Sequence, residues 1–341
     1  MPATNAKQRP AGNPAGCCHK RVRAAPPERY PMIINTGLRT DIPAFYTPWL
    51  LNRLREGFVL VRSPYAPATL TRYRLDPAVV DLIAFCTKNP GPMLPHLGEL
   101  RRYAGQYWFV TITPYGREIE PRVPEKRRVV ADFRALSRAV GVDSVGWRYD
   151  PILLNETYTV ERHLADFEAL AAALEGYTKT CVISFLDLYQ KVRRNFPEAR
   201  AVEKADRLRL GAAMAKIAAA HGMTLKACAE GQELAPYGVD CGGCMTIATY
   251  EQALHARLAA PRRPASRDGA CACHLAADIG AYNSCPHLCR YCYANADPAA
   301  VAANARRHDP ASPLLLGRPE PGDTIREAKQ ESWLDGQMRF D

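Results

Sequence analysis

The 341-residue chain contains no apolar run of about 18 residues, so it offers no membrane-spanning helix. Its first thirty residues lack an apolar core of roughly 7–15 residues, which argues against a secretory leader. Strong charge is also scarce beyond that stretch. Residues 1–30 hold six Lys/Arg against one acid, half of the net charge of +10. The remainder is too mildly basic for a broad phosphate footprint. Together these absences lead us to expect a cytoplasmic protein with no membrane partner. What the chain does have is cysteine. It carries 12, and eight of them lie between Cys228 and Cys292. In a reducing compartment such a cluster points to metal ligation or catalysis rather than disulfides.

The Pro/Ala/Arg-rich segment 1–30 has no hydrophobic periodicity and reads as a disordered basic tail, with Met32 a candidate start of the ordered chain. Residues 31–300 read as one α/β domain that includes the Cys-rich segment 228–292, and 301–341 as a C-terminal extension. Short β-branched runs predict strands at 32–36, 82–87, 108–113, 145–149, 181–185, 224–228 and 276–279. Apolar spacing predicts helices at 48–56, 126–140, 160–174, 205–221 and 250–258, with a single turn at 76–80. Alternation of strand and helix implies a parallel sheet, and six or seven such units imply a TIM-like (β/α) barrel, complete or partial. Chemistry in such folds gathers at the carboxyl ends of the strands. Those ends are rich in polar residues here, among them Thr36, Arg39, Asp41, Lys88, Thr113, Arg148, Asp150, Ser184 and Glu230.

The last predicted strand leads into CPHLCRYC at 285–292, followed by Tyr293, Ala294 and Asn295. Cys285, Cys289 and Cys292 can hold three irons of a [4Fe–4S] cluster, leaving the fourth iron open, whereas such clusters ordinarily take four thiolates. This spacing, with the aromatic Tyr291 before the third cysteine, resembles the cluster loop of radical S-adenosylmethionine (radical SAM) enzymes. In that family the open iron chelates the methionine moiety. Across residues 32–295 the chain is similar to the DUF1848 family. The similarity is carried by MIINTGLRTDIPAFY, REGFVLVRSPY, FCTKNPGPMLPHL, VTITPYGREIEPRVP, WRYDPI, VISFLDLY, CAE and IGAYNSCPHLCRYCYAN. The segments around Thr36–Pro43, Thr87–Lys88, Thr111–Pro124 and Asp150–Ile152 also resemble radical SAM proteins related to spore photoproduct lyase, in the same order. There the cysteine loop precedes these segments, and here it comes after them. The resemblance therefore implies a circularly permuted radical SAM barrel whose cluster loop sits at its C-terminal end.

The resemblance further implies that bound S-adenosylmethionine is cleaved reductively to a 5′-deoxyadenosyl radical, with electrons from a donor such as flavodoxin or ferredoxin. The substrate is open among a small molecule, a peptide and a nucleic acid. The family's Gly-Gly-Glu segment is missing, and Thr36, Arg39 and Asp41 occupy its equivalent place. Lys88, Arg148, Asp150, Ser184 and Glu230 are expected to line the cavity and hold ligands. Tyr115, Tyr149 and Tyr282 are core aromatics or radical relays. A second group, Cys228, Cys241, Cys244, Cys271 and Cys273, suits structural zinc or an auxiliary [4Fe–4S] cluster. The DUF1848-like context implies that Cys228, Cys244, Cys271 and Cys273 are the four ligands and Cys241 the spare. Cys86 and Cys181 read as small core residues, and Cys17 and Cys18 as incidental. Two rival readings remain at this point: a zinc-binding structural or regulatory module, and an iron–sulfur carrier or sensor without catalysis.

Overall fold

The computed structural model describes residues 33–260, 273–274 and 277–338. The basic tail, with Cys17 and Cys18, lies outside the described residues, as does Cys271. In chain order the strands are β1 (Ile33–Asn35), β2 (Phe58–Arg62), β3 (Thr69–Arg74), β4 (Leu82–Thr87), β5 (Gly105–Thr111) and β6 (Val145–Ile152). They continue with β7 (Thr180–Phe185), β8 (Thr224–Ala227), β9 (Ala256–Leu258), β10 (Ala277–Asp278), β11 (Thr324–Glu327) and β12 (Leu334–Met338). The helices are α1 (Ile42–Phe45), α2 (Thr47–Glu56), α3 (Lys126–Val140), α4 (Val160–Leu174), α5 (Gln190–Asn195), α6 (Lys204–Ala220), α7 (Ile247–Leu254) and α8 (Pro298–Ala305).

Seven strands form one parallel sheet in the order β10-β1-β4-β5-β6-β7-β8. Most of their residues are buried, and in β4 five of six are. That burial on both faces is why these strands read as continuous apolar runs rather than alternating ones. The helices supply the cover. On α4 the buried residues Val160, His163, Phe167, Ala171 and Leu174 recur at helical spacing, and the Phe167 ring stacks on Trp147 of β6 at 4.8 Å. The Thr159 hydroxyl starts that helix by accepting from the Arg162 amide at 3.2 Å. The fold is α/β with a seven-stranded parallel sheet, and among the described residues no pairing joins β8 to β10 to close a barrel.

The edge of the ladder at β10 and β1 brings two distant loops together. β10 runs parallel to β1, with Ile34 opposite Ala277 and Asn35 opposite Asp278. The segment after β10 thus emerges beside the loop after β1, although some 240 residues separate them in sequence. A second sheet is present that the apolar runs do not reveal. β2 and β3 form an antiparallel hairpin, and β11 adds in parallel to β3. These strands are short and half-exposed, so their residues are mixed rather than uniformly apolar. The predicted helix at 250–258 is split: α7 ends at Leu254, His255 adopts φ 49°, and β9 comes next.

Gly37 fixes the turn after β1. A Cβ there would stand 2.1 Å from the Cys86 carbonyl oxygen on β4, so only glycine permits this approach. Gly37→Ala is expected to cost roughly 1–3 kcal/mol through forced displacement of the 37–41 loop. Chemical denaturation of the variant beside wild type checks this, and an unchanged midpoint would show that the loop can move aside freely.

Candidate functional site

The cysteine loop is a backbone-knitted structure. Asn283 turns the chain with φ 56°, its amide donates to the Ala294 carbonyl at 3.0 Å, and its side-chain oxygen accepts from the Ala296 amide. Asn295 Nδ2 donates to the Cys285 carbonyl at 2.8 Å, closing the loop on itself. Neighbouring segments grip it from outside: the Arg290 amide donates to the Ile119 carbonyl at 3.0 Å, and the Arg122 amide to the His287 carbonyl at 3.2 Å. His287 sits between the cysteines, buried, with Nε2 2.9 Å from Asp41 Oδ2.

All three thiols line a single cavity of ≈ 270 Å³ at the carboxyl ends of the parallel strands. Burial pushes each thiol above its ordinary range. Lys88 draws Cys289 back down, and the Ala294 amide, 3.3 Å from the Cys292 sulfur, does the same there. Three thiols, Cys289 buried and Cys285 and Cys292 half-buried, with too little positive charge to ionise them are a donor set that can accept a metal centre, because a bound cation displaces thiol protons outright. Among the described residues, no three His, Cys, Asp or Glu side chains stand as a ready cage for one ion.

A buried ionic hub supports the loop from behind. Glu120 is 1 % exposed and takes Lys88 Nζ at 2.8 Å, Lys126 Nζ, the Thr113 hydroxyl at 2.7 Å and the Tyr291 hydroxyl. Burial alone would raise its carboxyl, but Lys88 and Lys126 reverse that and hold it at about 2. The Lys88 ammonium also lies 5.6 Å from the centre of the Tyr291 ring. Glu120 is not singled out by sequence reasoning, although it lies in the EIEPRVP motif; nothing in one dimension marks which of its two glutamates turns inward.

Of the second cysteine group, Cys228, Cys244 and Cys273 line the same cavity. Cys244 Sγ is 3.3 Å from Cys228 Sγ and 3.6 Å from Cys273 Sγ, and the Met245 amide donates to the Cys273 sulfur at 3.2 Å. Cys271, the fourth expected ligand, lies outside the described residues. Cys228 is disulfide-bonded, so it offers a thiolate to a metal only after reduction. Cys241 stands apart, bonded to the Val239 carbonyl at 3.6 Å. Cys86, expected in the core, is on the cavity wall instead, because the pleat of β4 turns it toward the opening. Burial raises its thiol to about 12. Cys181 is a core residue.

Of the other expected residues, Arg39, Asp41, Lys88, Arg148, Asp150, Ser184, Glu230 and Tyr291 line the cavity, and Thr36 and Thr113 do not. Thr36 is fully buried with its hydroxyl 3.4 Å from the Ala84 carbonyl, and Thr113 is spent on Glu120. Arg39 is held by Asp278. Asp41 caps α1 through the Ala44 amide at 3.1 Å, accepts the Lys88 amide at 2.7 Å and meets His287, so it positions the cysteine loop. Arg148 pairs with Asp150 and reaches Cys244 Sγ at 3.5 Å, and Ser184 donates to Asp150. Burial, with Asp187 and Asp150 nearby, lifts the Glu230 carboxyl to about 7. Tyr115 and Tyr149 do not line the cavity; their hydroxyls are tied to the Pro151 carbonyl at 2.8 Å and to His163 Nδ1 at 2.7 Å. Tyr282 faces Arg39 and Lys191. Thr40, which lies in the Thr36–Pro43 segment but is not among the expected ligand-holding residues, is a buried cavity residue whose hydroxyl has no hydrogen-bond partner among the described residues.

This arrangement falls inside a family match that spans residues 33–294. The chain belongs to the DUF1848 family. That family is described as a domain of unknown function. The match covers every strand of the large sheet, the cysteine loop and both cysteine groups, so the cavity is contained within the DUF1848 domain. No curated protein and no solved structure matches the chain.

Within the DUF1848 domain the Glu120 hub sets a test. The carboxyl ordinarily titrates at 4.5 and here at about 2, so its contribution is full above 4.5 and is lost as the pH falls toward 2. Glu120→Gln is expected to cost roughly 3 kcal/mol at pH 7, because two buried ammonium groups lose their counter-charge. The gap from wild type should narrow below pH 4.5 as the wild-type carboxyl protonates. Urea denaturation at pH 7 and pH 3.5 reads both effects, and a pH-independent gap would show that the hub acts by packing alone.

Proposed function

We propose that the chain is a radical SAM-type iron–sulfur enzyme, built on a circularly permuted form of that family's (β/α) barrel. The observation that carries the reading is the convergence of the three loop thiols and a ring of polar side chains on one cavity at the strand ends. The neighbouring of β10 and β1 supports the permuted order, since the cluster-bearing strand lies beside the strand it would precede in an unpermuted chain.

In this reading Cys285, Cys289 and Cys292 hold the [4Fe–4S] cluster. With S-adenosylmethionine bound, that pair supplies reductive carbon–sulfur cleavage to methionine and a 5′-deoxyadenosyl radical. The protein's share is placement. Glu120 and Asp41 lock Tyr291 and His287, and through them the spacing of the thiols. Arg148, Asp150, Ser184 and Glu230 hold and orient the ligand, and the enclosing wall keeps water from the reacting atoms. Cys228, Cys244, Cys271 and Cys273 are assigned to an auxiliary [4Fe–4S] cluster or zinc, with the Cys228 disulfide reduced first. The place of Cys228, Cys244 and Cys273 on the cavity wall favours a centre that faces the ligand.

Anaerobic reconstitution with iron and sulfide, followed by dithionite and S-adenosylmethionine, is expected to yield 5′-deoxyadenosine from wild type and none from Cys289→Ala. A stoichiometric zinc protein that takes up no cluster would sink the enzyme reading. A reducible cluster without any cleavage would favour the carrier or sensor.

Thr40 refines the ligand assignment within the 37–41 loop. Arg39 and Asp41 are already bonded, so the open Thr40 hydroxyl is the side-chain group left for a ligand beside the cysteine loop. A buried hydroxyl without a partner is costly, and a bound ligand removes that cost. Thr40→Val is expected to weaken S-adenosylhomocysteine binding by about tenfold in isothermal calorimetry, with Thr40→Ser near wild type. Equal affinity in the valine variant would take Thr40 out of the site.

A further inference from the structure

We propose that α5 and the outer face of the cysteine loop form the docking surface for an acidic one-electron carrier protein. The proposal rests on the iron–sulfur reading above. α5 is packed directly against the loop. Its N-cap Tyr189 meets the Tyr293 ring edge-on at 6.3 Å, and Asn195 Nδ2 donates to the Ala296 carbonyl at 3.1 Å. From the loop, Arg290 Nε donates to the Asn195 carbonyl at 3.3 Å, and its guanidinium covers Phe196 at 4.3 Å. This layer is the protein wall outside Cys289 and Cys292.

The wall is basic, and its charge is not matched. Arg193 and Arg194 are exposed, and their side-chain hydrogen bonds go to backbone carbonyls, of Leu188 at 3.1 Å and of Ala296. The electrostatic neighbours of Lys191 are Cys292 and Arg194, and its ammonium faces the Tyr282 ring at 5.1 Å. No ion pair involves any of these three cations among the described residues. Exposed cations on the neighbouring helices are matched instead: Arg162 by Asp166 at 2.6 Å, Lys204 by Glu233 at 2.9 Å and Arg209 by Glu161 at 2.7 Å. On the loop itself Glu198 answers Arg290 at 2.6 Å.

A buried centre that works by reduction must draw electrons one at a time from outside. Transfer weakens steeply with distance, so a donor must dock close to the thiols, and α5 packs through Val192 and Phe196 in one apolar cluster with Cys289 and Cys292. Transient redox partners bury small areas and rely on charge to find their register. Three unmatched cations on a single short helix suit such an encounter with an acidic carrier. They are too few to track a nucleic-acid backbone.

The test uses the reconstituted full chain and a reduced acidic flavodoxin as probe, with cluster reduction followed by stopped-flow absorbance. Arg193→Glu combined with Arg194→Glu is expected to slow reduction by flavodoxin about tenfold or more at low salt. Reduction by dithionite should be unchanged, which also shows that the variant is folded. Arg209→Glu, a reversal away from the loop, should match wild type. Salt should slow the wild type and leave the double variant nearly unaffected. Equal flavodoxin rates in wild type and double variant would overturn the proposal while leaving the iron–sulfur reading intact. Single-stranded DNA that binds wild type and not the double variant, with flavodoxin reduction unchanged, would overturn it in favour of a nucleic-acid face. A wild type with no cluster that dithionite reduces would overturn both.

Discussion

The buried carboxylate of Glu120 is the constraint around which the site is arranged. It lies in the segment after β5, yet it holds Lys88 from the end of β4, Lys126 from the start of α3 and Tyr291 from the cysteine loop. A buried charge of this kind is stable only while its partners stay in place, so the partners are themselves fixed. Tyr291 is flanked by Cys289 and Cys292. Fixing its hydroxyl therefore fixes the part of the loop that presents two of the three thiols. Asp41 plays the parallel part for the other half, through His287.

These two anchors work because of the ladder beneath them. A parallel sheet delivers every strand's carboxyl end to the same side, and the residues after β1, β4, β7, β8 and β10 thereby meet around one cavity. The placement of β10 beside β1 closes the distance between the 37–41 loop and the cysteine loop. Arg39 to Asp278, Tyr293 to the Leu38 carbonyl, and His287 to Asp41 all depend on it. The cavity thus has two sulfur-rich walls, one from the loop after β10 and one from Cys228, Cys244 and Cys273. Arg148 connects the second wall to the carboxylate of Asp150.

Much of this is legible in one dimension. Helices α3 and α4 begin and end where periodicity places them, at Lys126–Val140 and Val160–Leu174, because their apolar faces are uninterrupted. The strands of the large sheet are visible as apolar runs, since each is covered on both sides. The β2–β3 hairpin and β11 are not, because half-exposed strands carry mixed residues whose pairing is set by neighbours far away in sequence. The CPHLCRYC spacing is plain, but the bonds that hold it open are not: Glu120 and His287 look like ordinary polar residues until the chain is folded.

By itself the sequence determined the α/β class, the membership of the large helices and strands, and the two groups of cysteines. Those come from local periodicity and from side-chain chemistry, which need no knowledge of distant partners. The tertiary structure alone decided that the loop cysteines and Cys228, Cys244 and Cys273 face one cavity, that Thr36 and Thr113 lie away from it, and that Cys86 lies on it. It also decided that Asp41 is a brace rather than a free ligand group. These are matters of which way a side chain points at a strand end and what stands opposite. Both are set by contacts that cross between elements, from seven positions apart for Thr113 and Glu120 to 246 for Asp41 and His287, which no local pattern encodes.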